Sequence, residues 1–277
     1  MIILFKKLWN NPTSRIGVML LLLVIFFSFV IPVILQTDPN LQVLEQAFHK
    51  PNFEHLFGTD NFGRDVFLRI IHGSRLSLII SLSATSLAVF IGIVVGIIAG
   101  IASLRIQSFL MRITDLFMAF PKYFIFILLL GFSNFSILKI VLVFAFFSWM
   151  EIAKIICGEI NFLKTTIYYK TAKCHGLSII TIIFYHILPN LTGAILSGFS
   201  LMTASMIILE SGVSFIGLGV QSPGISLGII LNQARYFPVD NLSLILFSGL
   251  FIVLDVAAFH MLGDGLKSVL DKEKYNK

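Results

Sequence analysis

Ionisable side chains are scarce where this chain is most apolar, and those that occur form no reacting set. Within the apolar spans the sequence offers Glu210, Asp255 and His260, scattered rather than grouped. Metal-assisted hydrolysis would call for an array such as His-Glu-x-x-His, and binding of ATP phosphates for Gly-x-x-x-x-Gly-Lys-Ser/Thr; neither string occurs. Cys157 and Cys174 lack metal-ligand spacing and read as incidental thiols, not a structural disulfide. The expectation is therefore no catalytic residue, no metal site and no cofactor on this chain. The densest chemistry lies instead in a polar interruption, Lys170 to Pro189, KTAKCHGLSIITIIFYHILP, which apolar spans flank on both sides. Thr165 to Cys174 lacks Pro and Gly and can form a short helix. Gly176 permits the positive φ that closes it. Ser178 can cap a second helix over Ile179 to Tyr185, and Pro189 suits the first turn of the helix that follows. Such a helix–turn–helix on a membrane face is built for a partner to push on.

The elements that must position this loop are membrane spans. The chain is 57% hydrophobic and 12% charged, with mean hydropathy +0.96, a balance outside that of soluble domains. Residues 1–15 carry Lys6, Lys7 and Arg15 ahead of an apolar run over 16–35. About twenty residues at ~1.5 Å each cross a hydrocarbon core of ~30 Å. The small-x-small cleavage site of a signal peptide does not follow, so this reads as an uncleaved first span. An external segment covers 36–75, and a five-helix core covers 76–265, with the loop at 159–189 inside it. The second span is expected at Leu76–Ile101, where Gly92, Gly96 and Gly100 share one helix face for close packing or, in a second reading, a hinge. A short basic turn, Arg105 to Lys122, leads to a third span ending near Phe132. An external turn over 133–137 and a fourth span, Leu138–Cys157, follow. The fifth span is expected at Leu191–Leu209. An external segment through Arg235 and Asp240 precedes the last, Leu242–Leu262, and residues 266–277 form a tail. Six spans place both termini and the loop in the cytoplasm. Lys50, Arg64, Arg69, Arg75, Lys139 and Arg235 then fall outside and the remaining Lys and Arg inside, in keeping with the positive-inside rule. The net charge of +6 is thus explained by topology, without nucleic acid.

Separated segments along the chain resemble those of the permease subunits of ABC importers in the peptide/nickel branch, the dipeptide/oligopeptide permease C-type. The loop is similar to that family's EAA loop: Thr171 and Ala172 match its alanine positions, Gly176 its glycine, and Leu188-Pro189 its end. Lys170 stands where the family usually has Glu, and His186 where the general motif has Ile. The segment around Gly58-Thr59-Asp60, Gly63-Arg64-Asp65, Arg69, Gly73 and Arg75 resembles the family's Gly-Thr-Asp-x-x-Gly-Arg-Asp lead-in to the second span. From the residues, Asp60 or Thr59 can cap a helix, Gly63 allows close approach, and Arg64 with Asp65 can satisfy one another. This segment is either a structural lead-in or a substrate contact. Asp115 to Pro121 resembles an Asp-x-x-x-Ala/Ser-x-Pro segment, whose Met118 and Phe120 either line a pathway or pack against helices. Glu210 followed by Ser211 to Gly224 resembles the Glu-x-x-Leu-Ser-Phe-Leu-Gly-Leu-Gly-Val-Gln-x-Pro segment. There Phe215, Gly217 and Gly219 belong to a gate or to plain turn chemistry. In the last span Asp255 and His260 form a buried or interfacial pair, or His260 meets substrate; GDGLKSVLDKEKYNK resembles the family tail.

The resemblance implies a type I importer permease fold in a bacterial inner or plasma membrane, all-α and multi-pass. It implies a second homologous permease, two ATPase subunits that bind Mg-ATP, and an external or periplasmic substrate-binding protein. The cargo it implies is short peptides or, alternatively, nickel or another transition metal as a chelate.

Overall fold

The computed structural model describes residues 9, 11–131, 136–237, 239 and 242–275, with side chains as far as residue 269, and among these the apolar runs and their breakers become ten helices besides a single 3-10 turn at Leu44–Gln46. Lys6, Lys7, residues 133–135 of the expected external turn, Asp240 and the last two residues lie outside the described residues. We label the helices α1 (Pro12–Leu35), α2 (Val66–Ile101), α3 (Leu104–Met118), α4 (Lys122–Gly131), α5 (Ile137–Phe146), α6 (Trp149–Thr165), α7 (Ile167–Cys174), α8 (Ile179–Phe215), α9 (Leu227–Ala234) and α10 (Leu242–Tyr275). Among the described residues, five helical stretches are long and apolar enough to cross a membrane: α1, α2, α5–α6, α8 and α10.

A sixth crossing follows from connectivity. Gly100 at the end of α2 packs on Ile160 of α6, so both helices run toward the same pole, the one holding α7. The chain between them must return. It does so through α3 and α4, bent by 72°, and Gly131 at the end of α4 lies beside Leu218 at the opposite pole. Six crossings therefore hold, but the third is broken. Pro121 causes the break: it lacks an N–H and pushes the residue before it out of helical conformation. The segment expected as a short basic turn, Arg105 to Lys122, is instead a fifteen-residue amphipathic helix that nothing in its sequence interrupts before Ala119.

Two other prolines are absorbed rather than obeyed. A proline ring collides with the carbonyl four residues earlier, and that residue is Ser28 for Pro32 and Tyr185 for Pro189. Each sits at the centre of a π turn, Phe26–Val30 and Ile183–Ile187, whose wider backbone makes room. Consequently α8 is continuous from Ile179, and the second short helix of the loop is the start of the fifth span.

The second span begins at Val66, ten residues before the expected Leu76. Asp65 caps it by accepting from Leu68 N, and Val66, Ile70 and Ile71 bury themselves against Leu227, Ile230 and Leu244. The presumed external stretch before the last span likewise contains a helix, α9, half of it buried. The fourth span kinks at Phe147–Ser148 and extends to Thr165, the fifth extends to Phe215, and the last continues to Tyr275.

Close packing decides the role of the glycine row. A Cβ on Gly96 would lie 2.7 Å from Ile156 Cβ and 2.8 Å from Ala153 O, and Gly92 and Gly100 meet Ile152 and Ile160 in the same way. Three glycines four apart thus receive three isoleucines four apart, the small-residue packing that lets membrane helices approach. Gly17 of α1 meets the α10 backbone at Met261 and Leu262, and Asn11 Nδ2 donates to Ser268 Oγ at 3.2 Å. The first described turn and the end of the last span therefore share the pole of α7.

Candidate functional site

At that pole the chain folds as helix, glycine turn, helix. Thr166 caps α7 by accepting from Tyr169 N, so the helix starts two residues later than Thr165. Gly176 has φ +72° and open space around it. Ser178 caps α8 by accepting from Thr181 N. Lys170 and Thr171 are exposed and Ala172 is buried, so of the two matched small positions only the second packs inward. His186 is half-buried with its ring 4.7 Å from that of Tyr168; Leu188 is half-buried and Pro189 exposed. The surface around the turn mixes apolar and basic groups: Ile167, Tyr168, Leu177, Ile180, Phe184 and Tyr185 are exposed, as are Lys170, Lys173 and His175.

The opposite pole carries a buried charge network. Asp60, 0% exposed, accepts from Arg64 Nε at 2.6 Å and from the amides of Phe62 and Arg64, with Arg69 Nε at 3.6 Å. Gln233 of α9 accepts from Arg69 at 2.7 Å and from Arg64 at 3.4 Å. Two expectations are corrected here. Arg64 pairs with Asp60, not Asp65, and the helix cap is Asp65, not Asp60 or Thr59. Asp65 also bonds His55 Nδ1 at 2.8 Å, while buried Thr59 bonds the backbone of Gln46 and His49. Gly58 and Gly63 take positive φ, and Gly63 presses on the Val43 carbonyl, as its close-approach reading required. Within the segment, Asp60 with Arg64 and Asp65 with His55 face one another. A cleft of about 320 Å³ opens beside it between Asp38, His72, Arg75 and Pro223.

Glu210 is the centre of a second buried knot. Ser77 and Ser214 each donate to it at 2.7 Å, Ser77 Oγ accepts from Leu227 N, and Ser214 Oγ accepts from Val220 N. Glu210 therefore ties α2, α8 and the connection to α9 together. Phe215 ends α8 half-exposed, and its carbonyl accepts from Asn232 of α9. Gly217 has φ +90°, and a Cβ on Gly219 would collide with Ser214.

The last span does not pair Asp255 with His260. Asp255 is buried and accepts from Ser74 Oγ at 2.9 Å, and Ser74 in turn meets Ser28 at 2.7 Å, joining α10, α2 and α1. His260 is exposed and lies 3.6 Å from Asp264 on its own helix. Among the described residues no three His, Cys, Asp or Glu come together as a metal group.

Sequence reading missed one constellation. Asp115 pairs with Lys154, and Lys122 pairs with Glu151, around the break between α3 and α4. Glu151 and Lys154 lie within an apolar span and were passed over among its hydrophobic neighbours. The i,i+3 spacing of opposite charges, answered by Asp115 and Lys122 seven residues apart, was the available signal. Met118 is half-buried and Phe120 exposed at the same break.

Comparison with known proteins agrees with this geometry. A family model described as binding-protein-dependent transport system inner membrane component matches residues 92–274. A Brucella abortus protein named as a peptide transport system permease is 35% identical over 274 residues, 96% of this chain and 90% of its own. The oligopeptide transport system permease protein of Escherichia coli K12 is 32% identical over 271 residues, covering 96% and 89% respectively. The dipeptide transport system permease protein of Bacillus subtilis is 32% identical over 275 residues, covering 96% and 84%.

Proposed function

This chain belongs to the binding-protein-dependent transport system inner membrane components, and from that membership we propose that it imports short peptides as one permease of an ATP-driven complex. The peptide assignment is supported by the names of the relatives, which refer to peptides and oligopeptides. The partners are a second homologous permease, two ATPase subunits and an external substrate-binding protein. Mg-ATP is held by the ATPases and not by this chain. The pole of α7 faces the cytoplasm, and the pole of the Asp60 network faces outward.

One observation carries the mechanism: the helix that follows the Gly176 turn, with Ile180, Phe184 and Tyr185 exposed on it, is itself the start of a span. Lys170, Thr171, Ala172, Gly176, His186, Leu188 and Pro189 form the loop that docks on an ATPase, with Lys170 meeting an acidic or neutral surface there. Because α8 runs unbroken through 37 residues, roughly 55 Å at ~1.5 Å per residue, it acts as a lever. Closure of the ATPases on ATP moves the loop, and α8 carries that motion to the Glu210 knot and the Phe215–Gly219 turn at the outer mouth. Those residues gate the route.

Uptake separates the two cargoes. In cells lacking this subunit and regaining it, labelled tripeptide uptake is expected to return, with excess dipeptide or tripeptide competing. Subunit-dependent uptake of labelled nickel or cobalt that ignores peptide competitors would overturn the peptide reading.

A further inference from the structure

The ion pairs around the broken third span lie at membrane depth and yet are open. Gly92 packs on Trp149 and Ile152, and lies roughly nine residues, or ~13 Å, from the α7-pole end of α2. Glu151, between those contacts, is therefore well inside the span. The side chains of Lys122 and Glu151 are 31% and 43% exposed, and those of Lys154 and Asp115 are 38% and 58% exposed. Charges at this depth are not left to lipid; they face a bundle interior or water. The backbone gives a second, independent sign. The 72° break at Ala119–Pro121 interrupts a helix inside the span, and irregular backbone at that depth requires protein or a wet cavity beside it. The two features coincide: Asp115 lies just before the break and Lys122 just after it, and both reach α6.

We infer that the face around this break lines the translocation route, and that the Lys122–Glu151 and Asp115–Lys154 pairs take the free ends of a passing peptide by exchanging partners. The inference rests on the peptide reading above. A short peptide is a zwitterion. Its carboxylate can replace Glu151 or Asp115 at a lysine while its ammonium replaces the lysine at the released carboxylate. Each exchange trades one ion pair for two and leaves no charge unpaired, which holds the unpaired-charge cost of several kcal/mol out of the route. Two positive and two negative groups keep the belt neutral overall, so recognition falls on the ends, which every peptide has, and not on its side chains.

Water access tests the face, and protection tests the recognition. In the complete importer carrying Cys174→Ser, with Cys157 buried, Glu151→Cys is exposed to a charged, membrane-impermeant methanethiosulfonate. Ile155→Cys, one turn further on α6 and 44% exposed, keeps both ion pairs intact and guards against a folding failure. Both are expected to react at least tenfold faster than Leu22→Cys, on the exposed apolar face of α1. Excess free tripeptide is expected to slow the reaction about threefold, and the same tripeptide acetylated and amidated at its ends is not. Reactivity no greater than that of Leu22→Cys overturns the wet face. Equal protection by free and blocked peptide, or none by either, overturns end recognition. If peptide uptake itself never depends on the subunit, the peptide reading fails separately, since reactivity reports the wet face whatever the cargo.

Discussion

Replacing Gly176 with valine is expected to cut substrate-stimulated ATP hydrolysis and transport sharply while leaving the subunit in the membrane. Gly176 has φ +72° and nothing near the position a Cβ would occupy. The penalty is therefore conformational and not a clash: a β-branched residue is a genuine outlier at positive φ, costing about 1–3 kcal/mol. The spans do not pass through this turn, so membrane insertion has no reason to fail. The turn does set the angle between α7 and α8, and with it the surface that the proposed function has docking on the ATPase. A loss of about tenfold to hundredfold follows from that cost at 1.36 kcal/mol per decade. Gly176→Ala is expected to fall between, since alanine tolerates the conformation better. Substrate-stimulated ATPase activity of the purified complex reads the effect, and undiminished stimulation in the valine variant sinks the loop assignment.

A second large effect is expected from Asp60→Ala, this time on stability. Asp60 is fully buried and neutralises Arg64, with Arg69 close behind. Removing one partner of a buried ion pair costs about 3–5 kcal/mol, because the charge left behind is uncompensated. Here two buried guanidinium groups would be left with the Gln233 amide and, for Arg64, the face of the Phe62 ring. A marked fall in the melting midpoint of the purified complex is the expected result, with Asp60→Asn less severe because its amide oxygen can still accept from Arg64. An unchanged midpoint for the alanine variant means the network is not what anchors the external segment to α9.

Much of this was legible in the sequence because it rests on local rules. Gly176, Ser178, the apolar spans and the Gly92–Gly96–Gly100 row each announce themselves through backbone conformation or periodicity, and the structure places them accordingly. What was not legible depended on contacts between distant segments. Asp60, Asp65 and Arg64 are near neighbours in sequence, and only the fold decides that Asp60 takes the arginine while Asp65 takes the cap and His55. The prolines misled for a related reason. Pro121 breaks its helix, whereas Pro32 and Pro189 do not, because π turns relieve the clash and tertiary packing holds the helix together. The paired charges of α3, α4 and α6 were hidden because each is unremarkable until a bend brings its partner within reach.

The central claim is that ATP hydrolysis on partner subunits, delivered through the Gly176 loop, drives solute across this chain. Its most direct test is uptake of labelled tripeptide into proteoliposomes containing both permeases, both ATPases and the binding protein, with and without Mg-ATP on the ATPase side. Uptake that requires Mg-ATP, and disappears when the ATPases carry a hydrolysis-blocking substitution, is the predicted result. Uptake sustained by a solute or ion gradient alone, with ATP absent, would contradict it.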